Sequence, residues 1–235
     1  MKEARRVFLK LSGEALADKE KGGYNLPVVQ DVARQVKEAV DAGVQVGIVI
    51  GGGNYWRGLT GTEIDRTQSD QIGMLATVMN CIYVSEVFRY EGMKTEIFTP
   101  FQIGAMTKLF SKDAAVAAMK DGAVCFFAGG TGHPFFSTDT GIVLRALEVE
   151  ADAILLAKAI DGVYDSDPRT NPDAKKFDTI SIHEVVDRKL EVIDRTAAVM
   201  CEANKMALAV FDLREPDSIR DALNGKIKGT VVTAD

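Results

Sequence analysis

Histidine and cysteine are scarce in this chain, and the motifs built on them are missing. His133 and His183 are its two histidines, too few for a histidine-built metal site. Neither H-E-x-x-H, C-x-x-C nor G-x-S-x-G occurs, so zinc-enzyme and serine-hydrolase readings have no support. Cys81, Cys125 and Cys201 are scattered and odd in number. Each reads as a reduced thiol in or beside the core, which fits a cytosolic protein better than a disulfide scaffold. No apolar run approaches the roughly 18 residues of a membrane span, and the opening MKEARRVFLKLSGEAL has no signal-peptide core or cleavage site. A surplus of positive charge is missing too. The net charge of −6 argues against a nucleic-acid surface, which needs a basic stripe. It leaves small anions open, because a few local Lys, Arg and backbone N–H groups can hold a phosphate on an acidic protein.

What is present is apolar and regularly spaced. Hydrophobic residues make up 46% of the 235, enough to bury one large domain or two closely joined lobes. Strand-length apolar runs recur at VFLKL (7–11), VQVGIVI (44–50), TEIFT (95–99), AVCFFA (123–128), AILLA (153–157), ALAVFDL (207–213) and TVVT (230–233). Several are apolar nearly throughout, the pattern of strands covered on both faces of a parallel sheet. Helical patterns separate them. Val29, Val32, Val36 and Val40 mark one face of a segment with Asn25 as its cap and Gly43 as its stop. The longest pattern, DQIGMLATVMNCIYVSEVFRYEG, places Ile72, Leu75, Met79, Ile82 and Glu86 at helical spacing, with its methionines expected to fill the core. Ser181 and Glu184 form a capping box before VVDRKL, and IDRTAAVMCEANK and PDSIRDALNG read as helices. Alternating strands and helices predict a three-layer α/β/α sandwich with a mostly parallel central sheet. Ligands of such folds gather at the C-terminal ends of the strands.

The strand ends carry the chemistry. After the first comes KLSGEAL, where Lys10, Ser12 and Gly13 either hold an anion or form a capped turn with a solvated lysine. After the second comes IGGGNYWRG, three glycines and then Arg57, read as a phosphate cradle in preference to a bland flexible loop. After the fourth comes FFAGGTGHPFFSTDTG. Thr131, Gly132, Ser137 and Thr138 can hydrogen-bond a ligand, and Phe135 and Phe136 offer flat faces to a heteroaromatic ring. Asp139 either caps the next helix, serves the site, or does both. After the fifth comes AKAIDGVYDSDPRTNP, where Tyr164 is either a core tyrosine with a wet tip or a partner for adenine. Two anion cradles, an aromatic pocket and a polar aromatic loop leave room for two nucleotides, or for a nucleotide and another substrate. Neither G-x-x-x-x-G-K-[ST] nor G-x-G-x-x-G is there to hold them.

Taken together and in order, KLSGEAL, VIGGGNYWRG, DQIGMLATVMN, GTGHPFFSTD, DGVYDSDP and the terminal KGTVV closely resemble the bacterial uridylate kinases (UMP kinases) of the amino acid kinase superfamily, over essentially the whole chain. The resemblance implies reversible phosphoryl transfer from MgATP to UMP, giving UDP and ADP for pyrimidine nucleotide synthesis. It implies a cytoplasmic homohexamer, activated by GTP and inhibited by UTP, with Mg²⁺ entering on ATP and no dedicated protein metal site. It implies one domain over 1–235, with an N-terminal lobe to about residue 150 serving UMP and a C-terminal lobe from about 151 serving ATP. By position, Lys10, Leu11, Ser12, Gly13, Gly53 and Arg57 belong to the ATP phosphates. Tyr164 and Asp167 belong to its adenosine end, and Lys158 is the contact that the divergent AKAI segment offers. Gly52 and Asp70 belong to UMP, Asp70 through the ribose hydroxyls. The run Thr131, Gly132, His133, Pro134, Phe135, Phe136, Ser137 and Thr138 forms the uridylate pocket, with His133 where the family often has Asn. Lys10, Arg57, Asp139 and Asp194 make the catalytic group, Asp139 organising Lys10 and Asp194 standing as a second carboxylate. Two rivals share the fold: a sister kinase acting on glutamate, acetylglutamate or aspartate, and a nucleotide- or anion-binding protein without turnover.

Overall fold

The computed structural model describes residues 5–18, 20, 22–56, 64–190 and 193–234. Its first half runs β1 (Arg6–Leu11), α1 (Gly13–Leu16), α2 (Leu26–Asp41), β2 (Gln45–Ile50), α3 (Arg66–Tyr90), β3 (Thr95–Thr99), β4 (Lys108–Leu109), α4 (Lys112–Lys120) and β5 (Val124–Phe127). Then come α5 (Thr138–Glu148), β6 (Ala153–Lys158), β7 (Val163–Tyr164), β8 (Lys176–Phe177), β9 (Thr179–Ser181) and α6 (Ile182–Asp187). The chain closes with α7 (Arg195–Asn204), β10 (Leu208–Asp212), α8 (Ser218–Leu223) and β11 (Gly229–Thr233). Among the described residues one nine-stranded sheet runs β4-β3-β5-β2-β1-β6-β10-β11-β9, and β7 and β8 form a separate hairpin. Every pairing in the large sheet is parallel except β10 with β11. The expected three-layer α/β/α architecture with a mostly parallel sheet is the one found.

The all-apolar strands are buried because helices cover both faces. Val7, Leu9 and Leu11 join β2, α2, α3 and α8 in one core. Phe8 joins Val49, Ile154 and Leu156 with α4 to α7 in the other. Side chains alternate along a strand, so Lys10 lies on the Phe8 face and Lys158 on the Leu156 face. From β1 the chain proceeds to β2 on one side of the sheet, and from β6 to β10 on the other. The switch between β1 and β6 opens a crevice at their C-terminal ends, where both lysines stand.

Local signals set the helix ends as read. The Asn25 side chain accepts from Val28 N, Gly43 ends α2 with φ of 91°, and the Ser181 side chain accepts from Glu184 N. All three cysteines are buried and free, and burial pushes each thiol up to about 12, so none is a nucleophile at neutral pH.

Helix α3 departs from expectation. The stripe Ile72, Leu75, Met79 and Ile82 faces outward, with Leu75 51% and Met79 49% exposed, so Met79 is not core filling. The buried positions are Ser69, Ala76, Thr77, Val78, Asn80, Cys81, Val84, Ser85, Val87 and Phe88. Small and polar residues face inward there because the strand-end loops press on this helix. By length and hydropathy α3 would pass for a membrane span, yet half of its apolar window is buried, as in a core helix. A Cβ on Gly52 would lie 2.7 Å from the Gly73 carbonyl oxygen, and one on Gly13 only 2.3 Å from that of Gly51. Fully buried Asn80 bonds to the Gly51 carbonyl at 2.7 Å and the Tyr24 hydroxyl at 2.7 Å, and exchanges two bonds with Asn54. The Thr77 hydroxyl accepts from Gly129 N at 2.8 Å. One helix thus fixes the loops leaving β2 and β5.

Asn80→Ala leaves the Gly51 carbonyl and the Asn54 amide without their partner. Urea unfolding is expected to show a loss of about 2–4 kcal/mol, the range for stranding two or more buried polar groups. A loss under about 0.5 kcal/mol means that water replaces the amide.

Candidate active site

The centre of the site is an ion pair between Lys10 Nζ and Asp139 Oδ1, with the two side chains 18% and 15% exposed. It joins the end of β1 to the first turn of α5. Asp139 is free for this because it is not the helix cap. Ser137 is, its Oγ accepting from Asp139 N at 3.0 Å and Thr140 N at 3.3 Å. The capping alternative for Asp139 is thereby corrected.

Asp194 does a different job from Asp139. Its carboxylate caps α7 by accepting from Ala197 N at 3.0 Å. It also accepts from the Ser137 hydroxyl and, at 3.0 Å, from the Thr140 hydroxyl. Asp194 therefore ties the N-termini of α5 and α7 together, in line with a positioning role. Lys158 lies near this group in a dry setting. Burial lowers its pKa, the charge of Lys10 adds to that, and Asp139 opposes it. A phosphate arriving there would restore the favourable charge balance.

Two clefts meet at the start of α5. One, of about 220 Å³, is walled by Gly52, Gly53, Asp70, Thr131, His133, Phe136, Ser137 and Thr138, together with Trp56, Ser69 and Thr77. Gly132, Pro134 and Phe135 lie on the same loop but outside its walls, and Phe135 is 67% exposed with the Arg66 guanidinium over its ring. The aromatic pair expected to face a base is thus split, and only Phe136 faces the cleft. Asp70 accepts from the Phe135 amide and from Arg66.

The other cleft begins with a cavity of about 450 Å³ lined by Asp139, Lys158, Asp194, Lys189 and Arg195, with Val185, Leu190 and Ile193 as its apolar wall. It continues, through Lys158, Lys189 and Leu190, into a second of about 470 Å³ that holds Tyr164 and Asp167. The Tyr164 hydroxyl donates to Asp161 Oδ1 at 2.7 Å, which leaves its ring as the part that a ligand can use. Asp167 is engaged by Arg169, whose guanidinium holds its carboxyl below the usual range. Ser12 opens into a third hollow beside Lys10 and Lys158. Leu11, expected among the ATP contacts, is fully buried, and its carbonyl accepts from Gly51 N at 3.1 Å. Arg57 lies outside the described residues.

Sequence reasoning missed Thr77, Asn80, Arg66, Lys189 and Arg195. Arg66 had a legible signal, its i,i+4 spacing to Asp70. Lys189 and Arg195 had none, since the α6–α7 corner reaches the site only through folding.

At the strand ends a lysine is held by a carboxylate, and two clefts open on either side of the start of α5. The description of the amino acid kinase family matches residues 5–212, and the chain belongs to that family. Among solved structures it is similar to a UMP kinase from Bacillus anthracis, with 35% identity and a TM-score of 0.94 over 99% of this chain and 97% of that one. It is also similar to a UMP kinase from Ureaplasma parvum, at 33% identity and a TM-score of 0.92 over 97% and 98% of the two chains. A uridylate kinase from Archaeoglobus fulgidus, at 24% identity and a TM-score of 0.74 over 97% and 99%, shares the fold.

Lys10→Met and Asp139→Asn each strand a mostly buried charge, whereas the double variant strands none. A double-mutant cycle on unfolding free energies is expected to give a coupling of about 1 kcal/mol or more. Additive effects would reduce the pair to an incidental contact.

Proposed function

We propose that the protein transfers the γ-phosphoryl group of MgATP to UMP, reversibly, giving ADP and UDP. The observation that carries this reading is the Lys10–Asp139 pair, which joins Asp139 on the wall of the cavity beside Lys158 to Lys10 on the wall of the hollow beside Ser12. Ser137 and Thr138 wall one cleft, and Asp139, the next residue, walls the other. The similarity to UMP kinases from two bacteria supplies the acceptor.

UMP takes the cleft of Gly52, Asp70, Thr131, His133, Phe136, Ser137 and Thr138, with Asp70 accepting ribose hydroxyls, as ionised carboxylates do. ATP lies across Lys158, Tyr164 and Asp167, with its phosphates toward Lys10, Ser12, Gly13, Gly53 and Arg57. The division into an acceptor lobe, about 1–150, and an ATP lobe, about 151–235, follows from that placement. A phosphate oxygen of UMP forms a bond to the γ-phosphorus while the bond from that phosphorus to the β-phosphate oxygen breaks. Such transfer runs through a loose transition state and asks for alignment and positive charge, with no protein nucleophile. Lys10 supplies the charge. Asp139 keeps the ammonium in place, and Asp194 steadies the start of α5 that carries Asp139.

Magnesium fits this arrangement as a guest of ATP. The described residues hold no group of three or more His, Cys, Asp or Glu able to bind a metal. Mg²⁺ needs none, being held by phosphates and water with one or two carboxylates, and Asp139 and Asp194 are the carboxylates on that cavity. When bound, the ion neutralises charge on the phosphates.

The same reading extends to a cytoplasmic enzyme of pyrimidine nucleotide synthesis, activated by GTP and inhibited by UTP. A homohexamer is supported by the outward apolar stripe of α3, Ile72, Leu75, Met79 and Ile82, a surface that a second copy can cover.

ADP release measured with UMP, CMP, glutamate and aspartate as acceptors tests the function, and UMP is expected to be strongly preferred. Preference for an amino acid would establish the sister-kinase reading, and no turnover with any acceptor the binding-protein reading. In the same assay Lys10→Ala is expected to cut turnover strongly, and Asp139→Asn to lower kcat about 10²-fold with near-normal nucleotide binding. Full kcat in folded Asp139→Asn removes its organising role.

Leu75→Glu places a charge on the α3 stripe without touching the core. Sedimentation is expected to show a smaller assembly than the unaltered protein gives, and an unchanged assembly would locate the interface elsewhere.

A further inference from the structure

Arg66 is the first residue of α3, a poor place for a cation on stability grounds. A helix N-terminus favours negative charge, and an i,i+4 ion pair is the weaker one when the base precedes the acid. Yet Arg66 commits its Nε to both oxygens of Asp70, at 2.9 Å to Oδ1 and 2.8 Å to Oδ2. Its guanidinium also lies 5.4 Å from the ring centroid of Phe135. Phe135 has φ of 69°, a left-handed backbone that bulky residues rarely adopt. The amide of Phe135 donates to Asp70 Oδ2 at 2.8 Å. Arg66, Asp70 and Phe135 thus form a closed triangle between α3 and the loop after β5, and Asp70 is the member that walls the cleft.

Lone-pair counting says what the triangle does. A carboxylate offers about four acceptor positions, two on each oxygen. Oδ2 receives two donors, Phe135 N and Arg66 Nε, whereas Oδ1 receives Arg66 Nε alone. The carboxylate is held in one orientation with its spare capacity on Oδ1.

We infer that Arg66 is a positioning residue for ribose recognition: it fixes the Asp70 carboxylate so that Oδ1 meets a sugar hydroxyl, and it holds the Phe135 loop against the same group. This rests on the reading that a nucleotide acceptor occupies the cleft. Arg66→Gln removes the charge and the Nε–H donor shared by the two carboxylate oxygens while leaving Asp70 and the loop in place. Arg66 is 40% exposed, so the substitution creates no cavity.

The experiment begins with turnover of UMP and 2′-deoxyUMP by the unaltered protein, because absence of both removes the function reading and this role with it. With turnover present, Arg66→Gln is expected to raise the KM for UMP about tenfold, the equivalent of one hydrogen bond of ordinary net strength. The KM for ATP and kcat stay near their starting values, and the preference for UMP over 2′-deoxyUMP narrows. An unchanged UMP KM and preference overturn the inference while leaving the function standing. So does a parallel rise in both KM values with a lower thermal midpoint, the mark of a structural role. Should Arg66→Gln fail to fold, Arg66→Lys is read in the same way, since it keeps the charge but lacks the fixed, planar Nε–H.

Discussion

The Lys10–Asp139 ion pair is the contact around which the rest of the site is arranged. It links the end of the central strand β1 to the first turn of α5, and so joins sheet to helix where the chain changes direction across the sheet. Two charges taken mostly out of water are favourable only with good geometry and further polar support. The support is present. Ser137 takes over the capping of α5, which frees Asp139 for the lysine, and Asp194 holds the hydroxyls of Ser137 and Thr140 while capping α7. Three elements are thereby locked to one another through side chains of the same few residues.

A second constraint is close approach. Gly13 lies against the Gly51 carbonyl, and Gly52 against the Gly73 carbonyl of α3. No side chain fits at either point, so the glycines of the cradle serve packing as well as access for a ligand. Asn80 and Thr77 then supply the hydrogen bonds that the exposed backbone of these loops requires inside the protein. The outcome is a close-packed floor whose backbone polar atoms are paired with side chains of α3.

Much of the fold was legible because burial on both faces leaves a strong mark. The runs at 95–99 and 153–157 fall on β3 and β6 almost residue for residue, and Asn25, Gly43 and the Ser181–Glu184 box do what their chemistry suggests. The two-residue strands β4, β7 and β8 carry too little pattern to be read. Helix α3 misled for a physical reason. Its apolar residues run all round, and periodicity finds a stripe without saying which side meets the sheet. The inward side mixes core residues such as Val84 and Phe88 with Thr77 and Asn80, which satisfy loop backbone.

The sequence by itself determined the layered sheet, the strand ends as the place of chemistry and the residue types gathered there, since alternation, glycine placement and charge act over a few neighbouring positions. Only the tertiary structure decided which of those residues meet. Ser137 and not Asp139 became the cap, and Phe136 rather than Phe135 faced the cleft. Asp70 found the amide of a residue far along the chain. Such choices depend on distances between elements that the sheet order sets, and no local pattern encodes them.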